Sequence, residues 1–540
     1  MHDDPSARGW LQGLFGARKS SKATGEVLLR TGIEAVLQVE EAVAEVLHHD
    51  RDEDPSALLA RATGSALMGT RTAVIIERSD VDLRLQLVEA VRQCVPLVVH
   101  VVLDTHNDDE SGLAALLDSG AVVFSASTVQ QAADLSLVAH RVAETGLIPV
   151  VVTMDARETA ESLQDVVLPI DGEYVNYLGA PDDTVACPTP AQIMLFGDRR
   201  RRLPRWFSLD SPSAHAVPAA GEDRSAQMAA RHFFFDAHLG DHIDEAMREI
   251  TSLTGRLLAT VLSCAAKGAS KAPSQVLFAH GSLADLARAT LLHAEFRESK
   301  KVGLITLVAL RPFPESALRK QCTVVEIAAI LERSHARLAA PHWHADLRAA
   351  LTGGPITWTT AHFPSGSQAI TPGHVLAAVD NLNRRDRRRD EIWLGLTPPT
   401  VETRFPKREV LLNRIAREYP DLSTVLDEST ATVDLRPAGA VTLAVCARET
   451  DLPAEVLPEI VRAAFSSKGP YARTRTTRPR PEYWTAHITL AGASFDDPGD
   501  AVPVDGILLA GLDFPPSLDL PAEVCEDAFL LVATDKDSKE

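Results

Sequence analysis

Cysteine is sparse and scattered in this chain. Its six residues, Cys94, Cys187, Cys264, Cys322, Cys446 and Cys525, form no Cys-x-x-Cys pair. That excludes a ferredoxin-like iron–sulfur module or a zinc ribbon here, because both need clustered thiolates. The same scatter suggests no disulfide framework and fits a reducing cytoplasm. Aromatic residues are only 5% of the chain, so Ala, Val and Leu must fill the core. No apolar run reaches the ~18 residues of a membrane-spanning helix. The opening MHDDPSARGW is acidic and small rather than basic then apolar, unlike a secretory signal. Gly-x-Ser-x-Gly elbows and Gly-rich Walker loops are also missing, which leaves serine-hydrolase and P-loop readings without support.

Positive charge is in deficit, with 54 Lys and Arg against 74 Asp and Glu for a formal charge of −20. Nucleic acids and anionic membranes are held mainly by basic surface, so neither is an expected partner. The basic residues bunch as Arg199-Arg200-Arg201-Arg202, as Arg384-Arg385 with Arg387-Arg388-Arg389, and as Arg473, Arg475, Arg478 and Arg480. Each bunch reads as a solvated loop or subunit contact.

What is present is length and periodicity. At 540 residues, 45% hydrophobic and 24% charged, the chain is several times the usual domain size and ordinary for a globular protein. Three folded units are expected: 25–225 with a connector, 226–397, and 398–540, after a tail over 1–24. In the tail, Trp10, Leu11, Leu14 and Phe15 form a short apolar stripe that reads as a packing arm.

Gly25 to Leu47 has helical spacing, and Ser56 is the expected N-cap of a second helix through Ala66. Strands then alternate with helices: strand 73–76, helix 81–94, strand 97–103, helix 112–117, strand 121–124, helix 128–145 and strand 148–153. Strands apolar on both faces between amphipathic helices predict a parallel sheet covered on both sides. Residues from about 155 to 225 read as connector with short elements. A helix over 241–262 precedes a second α/β unit, with strands at 275–279, 302–309, 323–327 and 356–358 and a closing helix that Thr371-Pro372 caps. The last third reads as strand 440–445, helix 453–465, and strands 486–490, 506–510 and 528–532. The fold class is therefore α/β, a three-domain chain of parallel or mixed sheets flanked by helices.

Val302 to Leu318 ends a buried strand on Arg311-Pro312-Phe313-Pro314 and restarts as a Glu-led helix. This turn resembles the transketolase C-terminal-like domain of the pyruvate:ferredoxin (2-oxoacid:acceptor) oxidoreductase family. Other segments line up in the same order. Thr31-Gly32-Ile33-Glu34-Ala35-Val36 looks like the family's T-G-N-E-A-V helix, and Ala62 to Gly69 like its small-residue helix. Ser125 to Leu135, continuing to His140, resembles its S-V-Q-E-A-x-D-L segment. Val276 to Ser282 resembles the first strand and Gly-Ser turn of the second domain, and Phe363-Pro364 to Asn383 its closing loop and helix. The final third resembles the gamma-type domain.

The resemblance implies a pyrimidine-binding-like first domain, with thiamine diphosphate held between it and a diphosphate-binding domain on another segment or subunit. A glutamate should contact the aminopyrimidine so that the cofactor forms its ylid. Gap-free counting puts that position on Ser56, whose hydroxyl cannot do such proton work at neutral pH. One shifted gap would give Glu53 or Glu77 instead. The Y-P-I-T-P substrate loop is missing between Leu47 and Ser56. Leu103-Asp104-Thr105-His106 stands where a substrate-binding arginine is expected, and Arg78-Ser79-Asp80 where a Ser-Gln-Gly turn is expected. Cys446-Ala447-Arg448-Glu449-Thr450-Asp451 replaces the gamma-type glycine-rich cradle.

The resemblance therefore implies no catalytic residue and no assignable cofactor or metal ligand in this chain. Thiamine diphosphate and magnesium would enter only with a partner, a second oxidoreductase subunit carrying iron–sulfur clusters or a diphosphate-binding domain. Three readings stand: a catalytically degenerate alpha/gamma-type subunit that scaffolds or regulates a redox partner, an active subunit whose site a partner completes, and a stand-alone binding protein reusing the fold. Two histidine-rich stretches remain. His232, Asp236, His238, Asp241, His242 and Asp244 read as a hydrated turn rather than a metal site, and His342-Trp343-His344 with Asp346 as a helix start around a packed Trp.

Overall fold

The structure, a computed structural model, describes residues 27–77, 83–104, 111–169, 171–205, 236–265, 272–293, 302–333, 342–363, 370–384, 387–394, 406–419, 433–450, 452–464, 471–480, 483–499, 504–510 and 524–533. The stripe at Trp10 to Phe15, the Arg78-Ser79-Asp80 turn and His232 lie outside the described residues.

The chain begins with β1 (Val27–Arg30), α1 (Gly32–Val43), β2 (Val46–His49), α2 (Pro55–Leu67), β3 (Thr72–Ile76), α3 (Leu83–Arg92), β4 (Leu97–Leu103), α4 (Ser111–Leu117), β5 (Val122–Ser125), α5 (Val129–Gly146) and β6 (Val150–Asp155). A π-helical turn, Ala156–Ala160, leads to β7 (Gln164–Val167), α6 (Asp171–Leu178), β8 (Thr184–Ala186), α7 (Pro190–Phe196) and β9 (Arg199–Arg201). Next come α8 (Leu239–Thr254), β10 (Val261–Ala265), β11 (Gln275–Ala279), α9 (Gly281–Leu292), β12 (Val302–Leu307), β13 (Ala309–Arg311), α10 (Glu315–Gln321), β14 (Ile327–Arg333), α11 (His342–Ala350), β15 (Thr357–Phe363), α12 (Pro372–Asn383) and β16 (Glu391–Trp393). The last stretch holds α13 (Pro406–Glu418), β17 (Val441–Arg448), α14 (Leu457–Ala464), β18 (Tyr471–Arg480), β19 (Tyr483–Ala491), β20 (Val504–Ala510) and β21 (Val524–Ala533).

Among the described residues the strands form three large sheets and two two-stranded ones, β1-β7 and β8-β9. The first has order β13-β5-β6-β4-β3-β2 and is parallel except for β13. The second, β10-β12-β11-β14-β15-β16, is parallel except for β10. The third, β18-β19-β17-β20-β21, is mixed. One apolar cluster joins the first two sheets, running from Leu58 and Val74 to Phe278, Ile305 and Trp343. The opposite face of the first sheet is covered by α1, α5 and α8, with Val36, Leu135 and Ile243 fully buried there.

The 302–309 strand divides. β12 stays in the second sheet, while β13 crosses to the first and pairs antiparallel with β5, Ala309 opposite Phe124 and Arg311 opposite Val123. The turn that carried the family resemblance is thus a stitch between two sheets. Its Arg311–Pro312 peptide is cis, and Arg311 reaches Asp346 at 2.7 Å.

Several expectations are corrected. The 25–47 helix is α1 alone, flanked by two short strands. Thr31 closes its start with a capping box to Glu34, and Val46-Leu47 pair with Thr72-Ala73. The second helix is capped by Asp54 rather than Ser56: Asp54 accepts the Ala57 N–H at 2.9 Å, because Pro55 favours the first helical position and moves the cap ahead of it. The 241–262 helix stops at a left-handed Gly255, and Val261-Leu262 belong to β10. Strand 323–327 begins only at Ile327, where pairing with Gln275 starts. Residues 155–225, by contrast, hold short elements as expected of the connector, among them β7, which pairs with β1.

The arginine bunches are corrected too. Arg199–Arg201 form β9, in which Arg200 is buried and donates to Gln192 and to the Glu144 carbonyl. Arg473 and Arg475 lie on β18, where Arg473 reaches Asp285 of α9 at 2.9 Å. Neither bunch is a solvated loop, because both lie where separate parts of the chain meet and carboxylates or carbonyls take their charge.

Candidate functional site

Parallel sheets offer their ligand sites at the carboxyl ends of their strands. At that end of β3 stands Glu77, with its Oε1 2.6 Å from His49 Nε2 and 2.7 Å from Arg51 Nε. Half-burial pushes the Glu77 carboxyl up, but the His49 and Arg51 contacts outweigh it and hold the group below the ordinary carboxylate range. Arg51 also reaches Glu455, which precedes α14, at 3.3 Å. Glu53 is ion-paired with Arg61. Ser56 sits in the first turn of α2, half-buried. The three positions proposed for the aminopyrimidine glutamate are thus a serine and two carboxylates already paired. This residue set does not fit the cofactor's requirement for an available carboxyl.

The amino end of α1 is closed in a similar way. Thr31 accepts the Glu34 N–H, and the Glu34 carboxylate accepts the Thr31 N–H at 2.9 Å. That carboxylate is also held by Arg462 of α14 at 2.7 and 2.9 Å. Burial pushes Glu34 up, while Arg462, the Thr31 amide and Arg30 bring it below its usual range. Gly32 follows for packing reasons: a Cβ there would meet the Thr159 carbonyl oxygen at 2.4 Å. The Thr-Gly-x-Glu pattern therefore seats the helix against the π-helical turn and against the third sheet's unit.

Beyond β5 and β6 the first two sheets meet through polar groups. Asp155 Oδ2 accepts the Ser282 N–H at 2.8 Å, so a side chain of this chain caps the amino end of α9. His280 lies 3.2 Å from Ser125 Oγ and packs edge-on to Trp343 at 5.1 Å. Burial lowers His280 to about 4 against the opposing pull of Asp155. Arg333 bridges Glu158 and Ser282 at 3.2 and 3.3 Å.

Sequence reasoning missed the buried triad inside the first sheet's helical face. Glu40 of α1 accepts from His100 of β4 and His140 of α5, each at 2.7 Å, with all three side chains at most 2% exposed. Burial alone would raise Glu40, but the two imidazoles hold it at about 2. The available signal was a charged residue and a histidine inside otherwise apolar faces.

Asp104, which stands where the resemblance expects a substrate-binding arginine, is half-buried at the end of β4, and Thr105 and His106 lie outside the described residues. Cys446 is buried within β17, and the chain turns at Glu449-Thr450. His238 and His242 lie one helical turn apart, with ring centroids at 6.5 Å. Trp343 is core and His344 sits 3.7 Å from buried Glu332. Among the described residues no three His, Cys, Asp or Glu side chains form a metal-holding group. No described helix is long and apolar enough to cross a membrane.

Two family descriptions match the chain. Residues 86–192 match the thiamine-diphosphate-binding region of pyruvate flavodoxin/ferredoxin oxidoreductases, and residues 274–375 match pyruvate:ferredoxin oxidoreductase core domain II. In these regions the chain is similar to the pyruvate:ferredoxin (2-oxoacid) oxidoreductase family. The first matched region begins after Glu77, so it leaves out all three glutamate candidates. The chain is 25% identical over 332 residues to the pyruvate-flavodoxin oxidoreductase of Enterobacter agglomerans, covering 58% of this chain and 26% of that protein. It is 23% identical over 329 residues to the pyruvate:ferredoxin oxidoreductase of Moorella thermoacetica, covering 59% and 26%. It therefore spans about a quarter of the length of these relatives. Its fold is also similar to a 2-oxoglutarate:ferredoxin oxidoreductase from Magnetococcus marinus solved with 2-oxoglutarate, coenzyme A and succinyl-CoA, with a TM-score of 0.50 at 15% identity over 66% of this chain and 65% of that one.

Proposed function

We propose that this chain is a catalytically degenerate alpha/gamma-type subunit of a 2-oxoacid:ferredoxin oxidoreductase complex, one that scaffolds or regulates a redox partner. The partner supplies the iron–sulfur clusters or the diphosphate-binding domain, and the assembly is cytoplasmic. We assign the units as a tail over 1–24, a pyrimidine-binding-like unit over 25–225, a transketolase C-terminal-like unit over 226–397 and a gamma-type unit over 398–540.

The observation that carries this reading is Glu77. It is the one glutamate candidate standing at the carboxyl end of a buried strand, and it is committed to His49 and Arg51. A carboxylate paired twice and held ionised is poorly suited to exchanging a proton with a ring nitrogen. The closure of α1 by Glu34 and Arg462 supports the same reading, since the amino end of that helix is already neutralised from within.

The test is a titration of the purified chain, alone and together with the product of its neighbouring gene, against thiamine diphosphate with magnesium. No binding by the chain alone is expected, together with co-purification of a Cys-rich partner without 2-oxoacid oxidation. Tight binding by the pair that Glu77→Gln or Glu53→Gln abolishes would overturn the reading in favour of an active subunit completed by its partner.

A further inference from the structure

A cleft of about 30 Å³ lies where the π-helical turn, β18, β19 and the 497–499 turn converge. β18 and β19 pair with Arg473 opposite Thr489 and Arg475 opposite His487, so these four side chains share one face of the third sheet and all line the cleft. The unit is anchored here by backbone contacts, with Thr474 N–H donating to the Leu163 carbonyl and Ser162 Oγ donating to the Thr474 carbonyl.

The lining carries the carboxyls of Glu158 and Asp497 beside Arg473 and Arg475, and not all of these groups are paired at contact distance. Glu158 is held by Arg333 at 3.2 Å, and Arg473 by Asp285 at 2.9 Å. Arg475 donates only to two carbonyls, those of Ile370 at 3.0 Å and Gly499 at 3.4 Å, and no carboxylate among the described residues lies within ion-pair distance of it. The buried Nε of Arg473 has no hydrogen-bond partner. The His487 backbone pairs within the sheet, and its side chain makes no hydrogen bond to any described residue. Its pKa is pushed down to about 4, first by burial and then by Arg475. The remaining carboxyl, Asp497, is pushed up by burial against the pull of Arg475 and Arg473, and it accepts the Gly499 N–H at 2.8 Å. A guanidinium with no carboxylate in ion-pair contact, an unused guanidinium N–H and an imidazole without a side-chain hydrogen bond, all facing one space, call for an acceptor-rich group between them.

We propose that this cleft binds a carboxylate group, gripped by Arg475 with the Arg473 Nε–H and His487 as further donors. Size selects among oxyanions. About 30 Å³ holds two or three water-sized centres, which matches the three heavy atoms of a carboxylate and is small for the five of a phosphate. The cleft shares no lining residue with the Glu77, His49 and Arg51 cluster, so the proposal stands whether or not the chain takes part in cofactor chemistry.

The experiment is a thermal-shift titration of the full chain with sodium acetate, against sodium chloride at matched ionic strength and against neutral acetamide. Acetate should raise the midpoint saturably, with no such rise for chloride or acetamide and a weaker one for phosphate. Arg475→Gln should weaken the acetate response at least about tenfold, the factor expected for loss of one charge-assisted grip. Arg475→Lys keeps the charge and loses the fork, and should show an intermediate loss even if the glutamine variant fails to fold. Acetate acting no better than chloride, phosphate binding more tightly than acetate, or a folded Arg475 variant responding like the wild type would each overturn the proposal.

Discussion

Arg462 grips Glu34 across 428 positions of sequence, with two hydrogen bonds of 2.7 and 2.9 Å. The contact ties the α14 end of the third unit to the first turn of the first unit's leading helix. Because the same carboxylate completes the α1 capping box, one side chain stabilises a local helix end and a long-range docking contact together.

Removing that grip should loosen the third unit without unfolding the first. Arg462→Ala leaves the capping box intact and deletes a bidentate pair that is about a quarter to a third exposed. Solvent screening limits the loss to about 1 kcal/mol. Limited proteolysis should cut the 398–540 region faster in the variant, and equal cutting rates would show that the pair does not hold the docking.

Much of this architecture can be read from the chain because strands such as Leu97–Leu103 and Gln275–Ala279 are apolar on both faces, as buried parallel strands must be. β18 escaped because its alternation is of Arg with Thr, which resembles a solvated basic bunch. Arg473 is explained only by Asp285, 188 residues earlier. Likewise the Thr-Gly-x-Glu motif is visible in sequence, whereas the arginine that closes it is not, since no local pattern encodes a partner from another unit. β2 escaped for a different reason: its two apolar residues continue the helical spacing of α1.

Acid should attack the first unit through Glu40. Its folded pKa of about 2 lies below the ordinary 4.5, so its contribution is fully present above about pH 4.5 and is lost as pH falls towards 2. A shift of this size corresponds to on the order of a few kcal/mol. Glu40→Gln should lower stability at pH 7 and flatten the dependence between pH 4.5 and 2, as measured by denaturant unfolding followed by circular dichroism. A variant as steep as the wild type in that window would assign the acid sensitivity to other groups.

His487 should give the third unit a milder sensitivity at higher pH. Its folded pKa of about 4 is below the ordinary 6.5, so the unfolded chain takes up the proton first. Stability is then complete above about pH 6.5 and declines as pH falls towards 4, by on the order of 1 to 3 kcal/mol. His487→Gln, with no proton to gain, should remove this component in chloride buffer. Unchanged pH dependence of the third unit's unfolding would refute the assignment.

The glycines of two family-like motifs should respond in opposite directions to alanine. At Gly32 a new Cβ would lie 2.4 Å from the Thr159 carbonyl oxygen and 2.9 Å from Ala160 Cα. Both are backbone atoms of the π-helical turn, so relief requires moving α1 or that turn, and a loss of about 1–3 kcal/mol is expected. At Gly64, inside α2, a Cβ meets nothing within 4 Å. There alanine only restricts the unfolded chain and improves helix propensity, so a gain of about 0.5–1 kcal/mol is expected. Thermal midpoints of Gly32→Ala and Gly64→Ala therefore separate close packing from helix propensity as the reason for each glycine. If both fall, α2 is also covered by something that needs its bare face; if both rise, α1 is not seated on Thr159.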